Sequence, residues 1–397
     1  MVYKKFKLLV FSRSFPPSIG GTSTVLMSLF SQFATQEVTV ISGRYGHGTK
    51  NDWPEYALKF ERINQGTPRL LCRVNLGLLE YYWIWRRTQT AKVLLREGKY
   101  TAILGVIPGP EYVVSAYLTH LATNLPFFVY YLDSTMPYPG EMNWRREILD
   151  KYEQRWLNAA KEKFVISKGL AGDLQDRLGV ERYQLLPHSL IPELFESNLD
   201  VIRPVRNPAR ILFIGSVNKI SNVHPLNKII DVLKDLTEIE VRLVIYSKQS
   251  RECLIEAGIK DSMVWSLPSY HGLEELLDAE RNADLILVPL DDESPLHPIL
   301  QTVFPTKTVE AMVANVPILV LAPEDTFTAR YARSSGFAFV VSDFQKDVIR
   351  EAILRLLTDK DLRRRLIQQA RKTAEENHDA RQVSQFFRQK IIQNVAQ

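Results

Sequence analysis

Two residues of opposite charge, Lys307 and Glu310, stand three apart in the stretch "FPTKTVEAMVANVPILV" (Phe304–Val320). Pro305 and Thr306 suit the start of a helix, which puts both side chains on one side of its first turns. A carboxylate there can accept two hydrogen bonds from a diol. An ammonium near a helix N-terminus can attract phosphate. A plain surface pair at this spacing would contribute little. The spacing alone favours the plain surface pair.

A second stretch, "RSFPPSIGG" (Arg13–Gly21), ends in Gly20 and Gly21 just before a helical pattern. Such a turn lets backbone N–H groups approach an anion at a helix N-terminus. The chain has neither a Gly-x-Gly-x-x-Gly fingerprint nor a Walker A sequence, so nicotinamide and P-loop chemistry are not supported. Asp133 in "YYLDSTMPYPG" ends an apolar run, where it could orient or deprotonate a hydroxyl, or simply form a turn. "DDES" (Asp291–Ser294) reads as a solvated loop, and no metal or cofactor is expected. His120 lies in a helical pattern and reads as structural.

These residues need a scaffold. "KLLVFS" (Lys7–Ser12) is a buried strand by its continuous apolar run, and "EVTVIS" (Glu37–Ser42) is the next. Between them Val25, Leu26, Leu29, Phe30 and Phe33 recur at helical spacing. Strands follow at 102–106, 127–132 and 162–167, with helical patterns near 110–123 and 143–160. The proline-rich stretch 186–210 breaks the rhythm. Strands then resume at 210–216, 240–247, 284–290, 317–322 and 337–342. Helical patterns lie near 225–236, 273–281, 305–314, 325–335, 346–357 and 360–376. A last helix over 379–395 carries Val383, Phe386, Phe387 and Ile391 on one stripe, with no strand after it to cover. Alternating strands and helices imply two parallel α/β sheets in tandem. The expected domains are 1–190 and 209–376, with 377–397 crossing back onto the first.

The 397 residues suit two cores better than one. No apolar run approaches the roughly 18 residues of a membrane span, and the N-terminus lacks a small-residue cleavage site. Cys72 and Cys253 form no metal or redox motif, so a reduced, cytoplasmic setting is expected. The net charge of +5 is concentrated in residues 360–397, which hold nine Lys/Arg and four Asp/Glu. That is no nucleic-acid-binding face. Leu76–Lys99 mixes Leu, Tyr and Trp with Arg86, Arg87, Lys92, Arg96 and Lys99. It reads as a helix packed on its own sheet with the basic residues outward. Peripheral contact with the inner face of a membrane stays open.

"FPPSIGGTSTVLMSL", "SKGLAGDL" (Ser167–Leu174), "ILFIGS" and "FPTKTVEAMVANVPILV" occur in that order, and the whole resembles the retaining glycosyltransferases of family 4. The resemblance implies a GT-B fold, with two Rossmann-like, doubly wound domains facing a cleft. It implies a sugar donor activated by a nucleotide, held mainly by the C-terminal domain without a bound metal. The acceptor, a saccharide, lipid-linked or other small molecule, would sit mainly in the N-terminal domain. Glu310 would accept from the ribose hydroxyls, and Lys307 would face the donor phosphates.

Two positions depart from the family pattern. Many members have a Glu eight residues before the one matched by Glu310, where this chain has Thr302; Gln301 and His297 are candidate substitutes. In "FIGSVNKISN" the family often has Arg after the Gly, where this chain has Ser216, with Lys219 nearest to the following Lys. His188 stands where an Asn is common in the family. A nucleotide-sugar epimerase of the same fold, or a non-catalytic nucleotide- or glycan-binding relative, are the competing expectations. The first would epimerise its sugar without an acceptor, and the second would bind donor without turnover.

Overall fold

The computed structural model describes residues 6–43, 59–65, 77–195, 203–268 and 273–395. Cys72 lies outside them. The chain divides into two units, residues 1–189 with 380–397, and residues 190–379.

The first unit runs β1 (Leu8–Ser12), α1 (Gly21–Phe30), β2 (Val38–Ser42), β3 (Glu61–Asn64), α2 (Gly77–Glu97), β4 (Ala102–Ile107), α3 (Pro110–Thr123), β5 (Phe127–Tyr131), α4 (Asn143–Ala159), β6 (Glu162–Val165), α5 (Lys168–Leu178) and β7 (Gln184–Leu185). Its strands form one parallel sheet in the order β3-β2-β1-β4-β5-β6-β7. Val10 stands opposite Val40 on one side and Leu104 on the other. Every residue of β1, β2, β4 and β5 is buried. Helices cover both faces, which is why these strands read as unbroken apolar runs. β3, with the sequence ERIN, is an exposed edge whose charges hid it from pattern reading.

Helix α2 packs against α3 through Ile84 and Ala91. Arg87 corrects the expectation of outward basic residues. It is fully buried, donates to Ser115 Oγ (3.0 Å) and to the Glu111 carbonyl (3.3 Å), and lies over the Tyr112 ring. Its long stem and planar head fill core space while the hydrogen bonds satisfy the charge.

The second unit runs β8 (Ala209–Ile214), α6 (Val223–Asp235), β9 (Val241–Tyr246), α7 (Arg251–Glu256), β10 (Trp265–Ser266), α8 (Leu273–Arg281), β11 (Leu285–Pro289), α9 (His297–Leu300), α10 (Thr306–Ala311), β12 (Ile318–Leu321), α11 (Phe327–Ser335), β13 (Phe339–Val341), α12 (Lys346–Thr358) and α13 (Lys360–Asn377). Its parallel sheet has the order β10-β9-β8-β11-β12-β13. Side-chain caps set several helix starts. Thr326 accepts from Ala329 N at α11, and Asp359 accepts from Leu362 N at α13.

In each sheet the strand order reverses at one point, between β1 and β4 and between β8 and β11. Ligands of such sheets bind beyond the carboxyl ends of the strands at that point.

The last helix, α14 (Ala380–Val395), belongs to the first unit. Phe387 is fully buried there, with ring centroids 5.0 Å from Phe164, 6.2 Å from Phe30 and 6.3 Å from Phe33. Val383 and Ile391 join the same core, and Ser384 Oγ donates to the Leu29 carbonyl at 2.6 Å. No helix among the described residues is long and apolar enough to cross a membrane.

Candidate functional site

At the carboxyl end of β8, Gly215 has φ 152°, a backbone state that disfavours a side chain. The loop that follows is held by amide side chains. Gln249 Oε1 accepts from Val217 N (2.7 Å) while its Nε2 donates to the Val217 carbonyl (3.0 Å). Asn222 Oδ1 accepts from Asn218 N, and its Nδ2 donates to the Ser216 carbonyl at 3.0 Å. Ser216 and Lys219 are both exposed on this loop, next to the N-terminus of α6.

Lys307 and Glu310 do open α10, and only the lysine reaches solvent. Glu310 is only 3% exposed, and Lys307 Nζ lies 2.6 Å from its Oε2. The i, i+3 pair is therefore half-buried, its carboxylate inside the protein and its lysine side chain 28% exposed. A third group joins them electrostatically. Glu280 of α8 is 2% exposed, and its carboxyl is raised to about 8. Burial is the main cause and the charge of Glu310 the next, with Lys307 and Arg281 pulling the other way. Sequence reading missed Glu280. The available signal was its position, four residues after the buried Leu276 on the inward face of α8.

Thr302 is buried and donates to the Ile299 carbonyl (2.8 Å). His297 and Gln301, the candidate substitutes, both reach Asp325 Oδ2, at 2.8 and 2.6 Å. They are thereby tied to the loop after β12. The loop after β11 departs from expectation. Asp291 is only 3% exposed and Ser294 is buried, so only part of "DDES" is solvated, with Glu293 exposed and Asp292 half-buried. Asp291 N donates to the Ser221 carbonyl (2.9 Å) and Ser294 Oγ donates to that of Ile220, which draws Asp291 inward. A groove of about 530 Å³ runs along β8, β9 and α8 past Arg210, Tyr246 and Asp278; Ser216, Lys219, Lys307 and Glu310 do not line it.

In the first unit, Gly20 and Gly21 are exposed at the start of α1, beyond β1. Asp133 follows β5 on the same sheet and accepts from Ser134 N at 2.9 Å. It is open to solvent, yet surrounding protein thins the water around it and raises its carboxyl; the Ser134 N–H and Arg145 oppose that shift. At the switch point between β1 and β4, Arg13 Nε lies 3.6 Å from the fully buried Glu111. Gly109 has φ 137°, and a Cβ there would lie 2.8 Å from Arg13 Cβ. His120 bonds the Leu125 carbonyl through Nδ1 (2.7 Å) and stacks on Phe127, a structural role. His188 is buried in the same unit.

The family described as "Glycosyl transferases group 1" matches residues 196–373. No curated protein matches the chain by sequence. Solved structures do match over both units. Sucrose-phosphate synthase from Thermosynechococcus elongatus superposes with a TM-score of 0.72 at 14% identity, covering 99% of this chain and 100% of that one. A glycosyltransferase from Rickettsia africae gives 0.71 at 13% identity, covering 99% of each. Anabaena HepE, in complex with UDP-glucose, gives 0.67 at 13%, covering 99% of this chain and 100% of its own. Residues 196–373 thus match the group 1 glycosyl transferase family, within a chain whose two parallel-sheet Rossmann-like units have the GT-B type of fold.

Proposed function

We propose that this protein transfers a sugar from a nucleotide-sugar donor to a hydroxyl-bearing acceptor. The observation that carries the reading is the buried Glu310 carboxylate, paired with the partly exposed Lys307 at the start of α10, inside the matched segment. A buried carboxylate needs partners, and a ribose diol supplies two donors at once. Lys307, Lys219 and the N-terminus of α6 would attract the diphosphate. In the first unit, Gly20 and Gly21 would bring backbone close to the ligand, and Asp133 would orient or deprotonate the acceptor hydroxyl. Desolvation by the surrounding protein raises its carboxyl above the ordinary carboxylate value, the direction that makes a carboxylate a stronger base. Retention of configuration belongs to the proposal through the resemblance to family 4.

Uridine diphosphate is the first nucleotide to test, because the Anabaena relative was captured with UDP-glucose. A ligand that binds only the folded state stabilises it by about 2.7 kcal/mol at a hundredfold excess over Kd. The expected result across a panel of nucleoside diphosphates is a rise in Tm of roughly 5 to 10 °C for one base. No shift with any base would overturn the donor assignment. Turnover of the stabilising donor without an acceptor, giving an epimerised sugar, would favour the epimerase.

Peripheral contact with an anionic membrane is a second part of the proposal, and it rests on α2. Leu78 is 86% and Trp85 57% exposed, with Tyr82 and Val93 exposed along the same stripe. Arg86, Arg96 and Lys99 are exposed beside them. Aromatic and basic residues in this arrangement suit a headgroup layer. Vesicles with anionic lipid should co-sediment the protein at low salt, and Trp85→Glu should reduce the bound fraction severalfold. Equal sedimentation of both proteins would dismiss this surface.

A further inference from the structure

We propose that Asp173 and Arg177 of α5, with Glu153 of α4, are positioning residues that lock Ser134 and Thr135 and so fix Asp133 against an acceptor hydroxyl, an inference that rests on Asp133 acting on the acceptor. The stretch "SKGLAGDL" builds half of this bracket. Ser167 caps α5 by accepting from Leu170 N (3.1 Å), and Leu170, Ala171 and Leu174 are buried. Asp173 and Arg177, four apart, then share a stripe of that helix.

Arg177 grips Asp173 with two bonds, from Nε to Oδ1 (3.1 Å) and from Nη2 to Oδ2 (3.2 Å). The same Nη2 donates to Thr135 Oγ1 at 2.7 Å, and Nη1 lies 3.8 Å from Glu153 Oε2. Thr135 Oγ1 in turn donates to Glu153 Oε1 at 2.7 Å, an oxygen that also accepts from the Tyr131 hydroxyl at 3.1 Å. One residue earlier, Ser134 Oγ donates to Asp173 Oδ2 (3.2 Å) and accepts from Met136 N (3.0 Å). Each hydroxyl thus both donates and accepts, which fixes its rotamer. Ser134, Thr135 and Glu153 are buried, so little water competes for these bonds.

The two residues after Asp133 are therefore tied to two helices at once. A turn that served only the path of the chain would need no such network, since Gly or Pro supplies one locally. Asp133 itself stands outside the bracket. Among the described residues it accepts one hydrogen bond, at Oδ1 from Ser134 N, and it is exposed after β5, at the sheet edge that receives ligands. Burial raises the Glu153 carboxyl, and Thr135, Arg177 and Tyr131 pull it back, so the bonds that hold the loop also keep its anchor charged. A displacement of about 1 Å at a reacting group can cost roughly a hundredfold in rate, which is the scale on which such a bracket matters.

The experiment compares the full chain with Thr135→Val, Thr135→Ser and Arg177→Lys, which keeps the charge but not the fork. Thermal melts establish that each variant folds, and Arg177→Lys keeps the test usable if Thr135→Val does not. Deuterium exchange of the amides at 134–136 should quicken at least tenfold in Thr135→Val and Arg177→Lys and stay near wild type in Thr135→Ser. Release of UDP from UDP-glucose, with water as the acceptor, should fall at least tenfold in the same two variants while the Kd for UDP is unchanged. In an Asp133→Asn background, Thr135→Val should cost less than twofold more, because residues acting through one group are not additive. Unchanged exchange overturns the bracket, a result that needs no donor. Faster exchange with undiminished UDP release, or an equal cost with and without Asp133, overturns the action through Asp133 and leaves the donor reading standing. A wild type that releases no UDP overturns the positioning role; if it also fails to bind UDP or any other nucleoside diphosphate, the donor reading falls with it.

Discussion

Glu310→Gln is expected to weaken nucleoside diphosphate binding roughly ten- to a hundredfold, with the fold intact. The substitution keeps the size of the side chain and changes its chemistry. The amide has one oxygen to offer a diol, and its NH₂ is a donor facing donors. A hydrogen bond to a charged group contributes about 1.5–3 kcal/mol, and each 1.4 kcal/mol is a factor of ten in affinity. Burial sharpens the expectation. At 3% exposure, Glu310 has little water to replace a lost partner. Turnover should fall with affinity if, as proposed, the same contact positions the donor for transfer. Calorimetric titration of wild type and variant with the preferred diphosphate measures the effect. Equal dissociation constants would remove Glu310 from the site.

Glu280→Gln is expected to remove a loss of stability that the wild type shows as pH rises. The Glu280 carboxyl titrates near 8 in the folded protein, against an ordinary value of 4.5. Between those values the folded chain holds a proton that the unfolded chain has released. Stability therefore falls as pH increases across that window, by up to about 1.4 kcal/mol per pH unit, and levels off above it. Gln cannot ionise, so the variant should lack this slope and be the more stable protein at pH 8. The same substitution has a consequence for binding. When Glu280 ionises, a second negative charge competes with Glu310 for Lys307, so nucleotide affinity in the wild type should drop above pH 8 and the variant should resist that drop. Denaturant melts from pH 5 to 9 provide the test. Parallel curves for the two proteins would show that Glu280 does not carry the proton.

The fold was largely legible because its central strands are buried on both faces. Runs such as LLVFS and LILVP must be continuous and apolar to sit there, and that makes them visible in one dimension. The edge strands β3, β7 and β10 were not, because an edge needs fewer apolar residues and two of these have only two residues each. The stripe of Val383, Phe387 and Ile391 was visible by its helical spacing on one face. It had no local strand to cover, and the structure seats it against Phe30, Phe33 and Phe164.

Chemistry divided differently. Lys307 and Glu310 are three residues apart, so helical geometry alone brought them together, and the sequence determined their pairing. Whether that pair lay in water or in the protein was beyond it, because burial depends on what other elements bring. The approach of Glu280 on α8 is set by how that helix packs on the sheet. His224 meets Asp291 and Asp292 across 67 and 68 positions because β8 and β11 are neighbours, a fact of strand order. Arg87 turns inward because Ser115 and the Glu111 carbonyl on α3 receive it, where composition alone suggested a basic face. The sequence thus determined which residues share a turn or a strand. The tertiary structure decided which charges lose their water, and a charge without water must find a partner, a proton or a ligand.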